Sequence, residues 1–112
     1  RDCQARVAVL SARVGSIGDN RLGGWISYRA AKAALNQIVH TSAIELARSH
    51  PQLACFSLHP GTVETPLTKP FVKNHNSRPA LEAAVMLYDV IEGRTAIDTG
   101  KFFDQNGALV PW

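Results

Sequence analysis

The sequence predicts an α/β fold with a parallel sheet, because two apolar, strand-like runs flank one long helical segment. Arg6–Leu10 is a short apolar run, and the Gly-containing polar stretch Ser11–Gly24 after it is typical of a loop at a strand end. Trp25–Ser49 has no Pro or Gly, is rich in alanine and repeats apolar residues at helical spacing. Leu53–Leu58 is a second apolar run of strand length. A strand, a long helix and a second strand predict a right-handed crossover between two parallel strands. In parallel sheets of this kind, ligands bind beyond the carboxyl ends of the strands.

The rest of the sequence fits the same alternating layout. Pro79–Ile91 predicts a second helix, since Pro occupies its first turn and Gly93 follows its end. Lys101–Phe103 predicts a last short strand, and Asn106-Gly107 after it indicates a tight turn. The polar stretch Thr62–Arg78 has the length of loops that often close over an active site. The sequence has no internal repeat or linker, so it predicts a single domain.

Composition indicates one globular unit and argues against several classes of protein. The chain has 112 residues, of which 46% are hydrophobic and 19% charged, and no apolar run is long enough to cross a membrane. The net charge is only +3 and the basic residues are scattered without interleaved aromatics, which argues against nucleic-acid binding. Cys55 lies in an apolar run that predicts a buried free thiol, and this favours the reducing cytoplasm. Because the sequence starts at Arg1 without a signal-peptide pattern, we expect a piece of a longer protein rather than a secreted one.

Tyr28 and Lys32 are the strongest candidates for chemistry in the sequence. They are four residues apart, so a helix places the phenol and the ammonium on one face. A positive charge beside a phenol favours the ionised form, which lets the pair exchange a proton with a substrate hydroxyl or carbonyl. The alternative interpretation is an ordinary pair on the surface of an amphipathic helix.

Other catalytic arrangements do not fit the sequence. Val14–Gly18 is not the nucleophile elbow of a hydrolase, because Gly15 directly precedes Ser16 instead of standing two positions before it. The four histidines are dispersed without metal-ligand spacing, so no metal site is predicted. A Gly-Lys-Ser phosphate loop is also missing from the sequence.

Three segments of the sequence form a recognisable set. They are Val7–Asn20 (VAVLSARVGSIGDN), Gly23–Asn36 (GGWISYRAAKAALN) and His59–Thr65 (HPGTVET). In this order and at these distances they resemble the short-chain dehydrogenase/reductases, and within that superfamily the C-factor and Sniffer-like carbonyl reductases, which also match the closing Val-Pro-Trp. The resemblance implies a partial Rossmann-type, doubly wound parallel sheet, the C-terminal half of a three-layer α/β/α fold. Residues 1–112 would then be the C-terminal catalytic part of one NAD(P)-binding domain whose N-terminal Gly-rich half lies outside this sequence.

The resemblance implies catalytic roles for Tyr28 and Lys32. Tyr28 would protonate the carbonyl oxygen as hydride arrives, or act as the base in the reverse direction. Lys32 would promote this proton transfer while binding the ribose hydroxyls of the nicotinamide cofactor. The family's catalytic serine commonly stands where this chain has Ala12. Ser11 and Ser16 are therefore both candidates for the hydroxyl that polarises the substrate carbonyl.

The resemblance also implies a cofactor-binding loop after the second strand. Its members would be Pro60, Gly61, Thr62, Val63 and Thr65, in addition to Tyr28 and Lys32. Gly61 would permit close approach of the backbone, and Thr65 would offer its hydroxyl to the cofactor. The residues that select between NAD and NADP belong to the half of the fold outside this sequence, so NADP is the expectation for this family and NAD the alternative.

Two hypotheses about function follow from the sequence. The first is an NAD(P)-dependent oxidoreductase that transfers hydride between the nicotinamide and a small carbonyl or alcohol substrate. The second is a catalytically silent fragment or interaction module, in which Ala12 marks a decayed active site. In both, the Trp25–Ser49 helix is expected to mediate a homo-oligomer, as the corresponding helix does in this superfamily. The presence of both Tyr28 and Lys32 favours the enzyme.

Overall fold

The computed structural model describes residues 4–61, 63–64 and 78–112, and its elements follow the predicted alternation of strands and helices. The strands are β1 (Arg6–Leu10), β2 (Ala54–His59), β3 (Val63–Glu64), β4 (Arg78–Pro79) and β5 (Phe102–Asp104), and the helices are α1 (Ile26–Ala47) and α2 (Ala80–Glu92). β1 has its predicted bounds. The predicted ends of α1, β2, α2 and β5 differ from the observed ones by at most two residues. The predicted fold class is thus confirmed.

The main sheet is parallel and three-stranded, in the order β1-β2-β5. Leu10 pairs with Leu58, and His59 pairs with Asp104, so the carboxyl ends of the three strands meet at one edge. Within the described residues β1 pairs only with β2, and its other edge is open. The α1 helix connects β1 to β2 and therefore begins at the edge where the strands end.

The two helices cover opposite faces of the sheet. Phe56 and Leu58 are fully buried and pack in one cluster with Val90 of α2. Cys55, which points to the other face, packs with Val39 of α1. Successive side chains of a strand point to opposite faces, so alternate residues of β2 make the two halves of the core. This gives the predicted three layers, with α1 on one side of the sheet and α2 on the other.

The Cys55 thiol is free and buried, as predicted from its apolar run. Burial raises the pKa of this thiol above its usual value, because the low-polarity surroundings disfavour the thiolate. Cys55 is therefore a packing residue of the core.

None of the helices in the described ranges is both long and apolar enough to cross a membrane.

The predicted turn at Asn106-Gly107 is confirmed, and it fixes the end of β5. Gly107 has a φ of 80°, a conformation that favours glycine, and its N–H donates to the carbonyl of Asp104 at 3.0 Å. The Asp104 carboxylate accepts from the N–H groups of Asn106 and Ala108 at 2.9 and 3.0 Å. These bonds hold Asp104 in place beside the strand ends.

The polar stretch Thr62–Arg78 lies mostly outside the described residues. Its two described ends pair with each other in parallel, Val63 opposite Arg78. The second helix begins at Ala80, because Pro79 is its N-cap residue instead of lying in the first turn. The prediction that this stretch closes over an active site stays a prediction.

Candidate active site

Tyr28 and Lys32 lie in the first two turns of α1, beside the carboxyl ends of β1 and β2. The Lys32 ammonium nitrogen is 5.7 Å from the centre of the Tyr28 ring. Tyr28 is 45% exposed, so its phenol is open to a ligand. Lys32 makes no ion pair or hydrogen bond with another residue in the described parts of the chain, and its N–H groups are free to bind a ligand. Tyr28 and Lys32 thus lie on one face of α1, which confirms the prediction made from their spacing of four residues.

The start of α1 is held in an unusual backbone conformation. Gly23, Gly24 and Trp25 have φ angles of 68°, 76° and 55°, and Trp25 is the one non-glycine residue with a positive φ in the described ranges. The helix has no side-chain cap at Trp25. The Arg29 guanidinium fixes the two glycines before the helix, since it donates to the carbonyls of Gly24 and Gly23 at 2.8 and 3.0 Å. The Trp25 ring meets the Tyr28 ring edge to face at 5.9 Å.

The loop after β1 packs directly on the helix turn that carries Lys32. A Cβ atom placed on Gly15 would lie 2.8 Å from both the backbone carbon and the Cβ of Lys32. Arg29 adds a second link between this loop and the helix, because it donates to the carbonyl of Val14 at 3.3 Å. The loop after β1 and the first turns of α1 therefore form one packed unit.

The two candidate serines lie in different environments. The Ser16 hydroxyl donates to the carbonyl of Pro111 and accepts from the N–H of Asp19 at 3.0 Å. Ser11 is 6% exposed, and its hydroxyl has no hydrogen-bond partner among the described residues. Its backbone N–H continues the sheet by donating to Leu58 at 2.7 Å. The Ser16 hydroxyl thus takes part in structural hydrogen bonds, whereas the buried hydroxyl of Ser11 is unpaired among the described residues.

A charged network holds the loop after β1 to the ends of β2 and β5. The Arg13 N–H donates to Nδ1 of His59 at 3.0 Å, so the proton of the neutral ring lies on Nε2. The Arg13 guanidinium binds the carboxylate of Asp104 at 3.2 Å and lies 3.6 Å from that of Asp19. No local sequence pattern reveals this network, since Arg13 and Asp104 are separated by 91 positions.

We expect acidification to destabilise the fold through His59. Burial lowers the pKa of His59 below its ordinary value of 6.5, and the nearby Arg13 charge lowers it further, while Asp104 and Asp19 act in the opposite direction. Below about pH 6.5 the unfolded chain binds a proton at His59 that the folded chain does not bind, so the free energy of unfolding falls as the pH drops. Urea unfolding at about pH 7.5 and about pH 5.5 measures this fall.

The matched control is His59→Asn, whose side-chain oxygen can still accept from the Arg13 N–H but does not titrate. The variant should lose less stability than the wild type between the two pH values. An equal loss in both proteins would show that other groups cause the pH dependence.

The expected cofactor loop is described only in part. Gly61 has a φ of 76°, which L side chains rarely adopt, so this position requires glycine. Pro60 and Gly61 are half-buried and directly follow β2. Val63 belongs to β3, and Thr62 and Thr65 lie outside the described residues. The roles assigned to these five residues stay predictions. The part of the chain that the structure describes holds no cluster of metal ligands.

The chain is similar to known proteins over almost all of its length. It is 36% identical over 108 residues to 1-hydroxy-2-glutathionyl-2-methyl-3-butene dehydrogenase of Rhodococcus sp. (strain AD45) and also 36% identical over 108 residues to C-signal of Myxococcus xanthus. Each alignment covers 96% of this chain, but only 47% of the first protein and 61% of the second. The chain thus spans about half the length of these relatives. No family model matches it.

Solved structures show the same relationship. The carbonyl reductase Sniffer of D. melanogaster superposes with a TM-score of 0.83 at 25% identity, over 96% of this chain and 41% of that one. An NADPH-bound carbonyl reductase from chicken fatty liver gives 0.78 at 27% identity, over 96% and 42%. A putative short-chain dehydrogenase/reductase from Burkholderia multivorans with bound NADP gives 0.76 at 31% identity, over 96% and 44%. By sequence and by fold, the chain corresponds to the C-terminal half of the Rossmann-type domain of the short-chain dehydrogenase/reductases.

Proposed function

We propose that the full-length protein that carries this chain is an NADP(H)-dependent oxidoreductase that interconverts small carbonyl compounds and alcohols. The observation that carries the proposal is the Tyr28–Lys32 pair, an exposed phenol with a free ammonium 5.7 Å from its ring at the carboxyl edge of a parallel sheet. This edge is where ligands bind in open α/β folds. The relatives include a dehydrogenase and two carbonyl reductases, which supports the same reaction class.

The described residues fit a nicotinamide cofactor at this edge. The N–H groups of Lys32 have no hydrogen-bond acceptor among the residues that the structure describes, and Gly61 provides a turn whose backbone can approach a ligand closely. The chicken and Burkholderia proteins hold NADPH and NADP respectively, which supports NADP(H) for this protein. We expect Lys32, Tyr28, Pro60, Gly61, Thr62, Val63 and Thr65 to line the nicotinamide end of the site.

In this mechanism Tyr28 moves the proton. A bound reduced nicotinamide supplies the hydride that the carbonyl carbon receives. Tyr28 donates its Oη proton to the carbonyl oxygen as negative charge develops there, which gives the alcohol and leaves a phenolate that regains a proton from water. Lys32 stabilises this phenolate through its positive charge. In the reverse direction the phenolate accepts the proton of the alcohol.

Between the two serines, the free hydroxyl of Ser11 favours it as the group that polarises the carbonyl. Its Oγ is buried at the end of β1 and unpartnered in the described structure, and buried hydroxyls of this kind usually bind a ligand, a water or a protein group. Ser16 already uses its hydroxyl twice. The serine role therefore falls to Ser11, despite Ala12 standing at the family's usual position.

The test is turnover by the full-length protein. We expect oxidation of NADPH, followed by its absorbance, when small aldehydes and ketones are added, and slower oxidation of NADH. Calorimetric titration with each cofactor separates binding from chemistry. Binding without turnover on any carbonyl would favour the silent interaction module.

The homo-oligomer expected through the long helix stays a prediction. The α1 helix exposes Ile38 and Ile44, the type of side chain that such a contact would bury.

A further inference from the structure

The last residues of the chain lie across the loop that follows β1 and bond to its backbone. A main-chain oxygen of Trp112 accepts from the N–H groups of Ile17 and Gly18, at 2.5 and 3.2 Å. The preceding carbonyl, of Pro111, accepts from the Ser16 hydroxyl. Three consecutive loop residues are therefore bound to two residues that lie more than ninety positions further along the chain.

The Trp112 side chain anchors this segment to the core. Its indole stacks on the ring of Phe102, with centroids 5.4 Å apart and an angle of 26° between the planes. The indole also meets the His40 ring of α1 edge to face at 5.5 Å, and His40 in turn lies 2.8 Å from the carbonyl of Gly100. Phe102 is fully buried in β5. Trp112 thus connects β5, α1 and the loop after β1.

The loop that Trp112 holds is the one that supports Lys32. Gly15 immediately precedes Ser16 and packs against the backbone of Lys32, where no additional atom would fit. Gly18 lies against the Pro111 ring, since a Cβ on Gly18 would come within 3.3 Å of it. A shift of the loop away from Trp112 would therefore remove the contact that holds the first turns of α1, which have no side-chain cap of their own.

We propose that Trp112 is a positioning residue for the Tyr28–Lys32 pair, acting through the loop after β1 without touching the substrate. The proposal rests on the proposed function above. Loss of the indole removes the anchor on Phe102 and His40, so the main-chain oxygen of Trp112 is no longer held against Ile17 and Gly18. The support under Lys32 then loosens, and the ammonium no longer stays beside the phenol. The ammonium stabilises the phenolate only as the proton leaves, whereas cofactor binding is expected to be shared with the loop after β2. Loss of Trp112 therefore reduces the chemical step more than it reduces cofactor binding.

The experiment compares three variants of the full-length protein, Trp112→Ala, Trp112→Phe and the control Leu109→Ala. Leu109 is three positions away and 63% exposed, so its truncation changes a neighbouring side chain without touching the loop. We expect Trp112→Ala to lower kcat by roughly tenfold to a hundredfold while the KM for NADPH changes by less than about threefold. Trp112→Phe keeps an aromatic ring on Phe102 and should restore most of kcat. Leu109→Ala should match the wild type.

A second measurement does not depend on turnover. The nuclear Overhauser effect between the Lys32 side chain and the Tyr28 ring reports how closely the ammonium stays beside the phenol. Its intensity should fall in Trp112→Ala relative to the wild type, and it should not fall in Trp112→Phe.

The outcomes separate this proposal from the proposed function. If the wild type turns over no carbonyl, the proposed function fails, and the Overhauser measurement alone decides the positioning role. Equal intensities in Trp112→Ala and the wild type would overturn that role. A parallel loss of kcat, NADPH affinity and thermal stability in Trp112→Ala, without rescue by Trp112→Phe, would overturn it as well, since that pattern indicates only a weakened fold.

Discussion

Replacement of Tyr28 by Phe should lower the turnover of the full-length protein by about a thousandfold and leave NADPH binding almost unchanged. General acid catalysis by a positioned side chain contributes about 10² to 10⁴ in rate, and the change removes the one proton that Tyr28 gives to the carbonyl oxygen. The ring itself stays, so its contact with Trp25 at 5.9 Å and with the Lys32 ammonium at 5.7 Å is kept. The measurement is kcat with NADPH and a carbonyl substrate, beside calorimetric binding of NADPH.

The chain provides a matched control for this change. Tyr88 is its other tyrosine, lies on α2 and is 62% exposed, and we have placed it in no site. Tyr88→Phe removes the same hydroxyl from the surface and should leave kcat and binding as they are. If Tyr28→Phe kept more than about a tenth of the wild-type kcat, proton donation by Tyr28 would be excluded, because a water molecule rarely replaces a positioned acid that well.

The framework of the fold was predictable because its signals are local. β1 has the predicted bounds, since the continuous apolar run of this strand lies between Arg6 and Ser11. α1 was predictable because a stretch of more than twenty residues without Pro or Gly has few alternatives to a helix. The Tyr28–Lys32 pair follows from the same periodicity, because residues four apart are neighbours on any helix surface.

The support around the pair was not predictable, because it is made of contacts between distant parts of the chain. The bond between Arg13 and Asp104 joins residues 91 positions apart, and that between Arg13 and His59 joins residues 46 apart. Trp112 and the loop after β1 are also joined by hydrogen bonds between residues that are far apart in the sequence. Ser16 illustrates the consequence: the residue pattern makes it a candidate for catalysis, whereas its bonds to Pro111 and Asp19 show a hydroxyl engaged in structure.

Gly15→Ala should both destabilise the fold and reduce turnover, because the added methyl group has no space. Its Cβ would lie 2.8 Å from the backbone carbon and the Cβ of Lys32 and 3.1 Å from the nitrogen of Ala33. These are atoms of the helix backbone or bonded directly to it, so they cannot turn aside as the end of a flexible side chain could. The loop must move off the helix instead. Overpacking of this kind costs about 1–3 kcal/mol.

The effect of Gly15→Ala arises from space alone, since its φ does not lie in the left-handed region that disfavours alanine. Gly93→Ala is the control, because Gly93 ends α2 with a φ of −83° and an added Cβ would meet only two carbonyl oxygens at 3.7 Å. That change should leave stability unaltered or raise it by about 0.4–1 kcal/mol, through the smaller entropy of the unfolded chain. Urea unfolding and kcat are measured for both variants of the full-length protein. If Gly15→Ala were as stable and as active as Gly93→Ala, the loop after β1 would not be what holds Lys32 beside Tyr28.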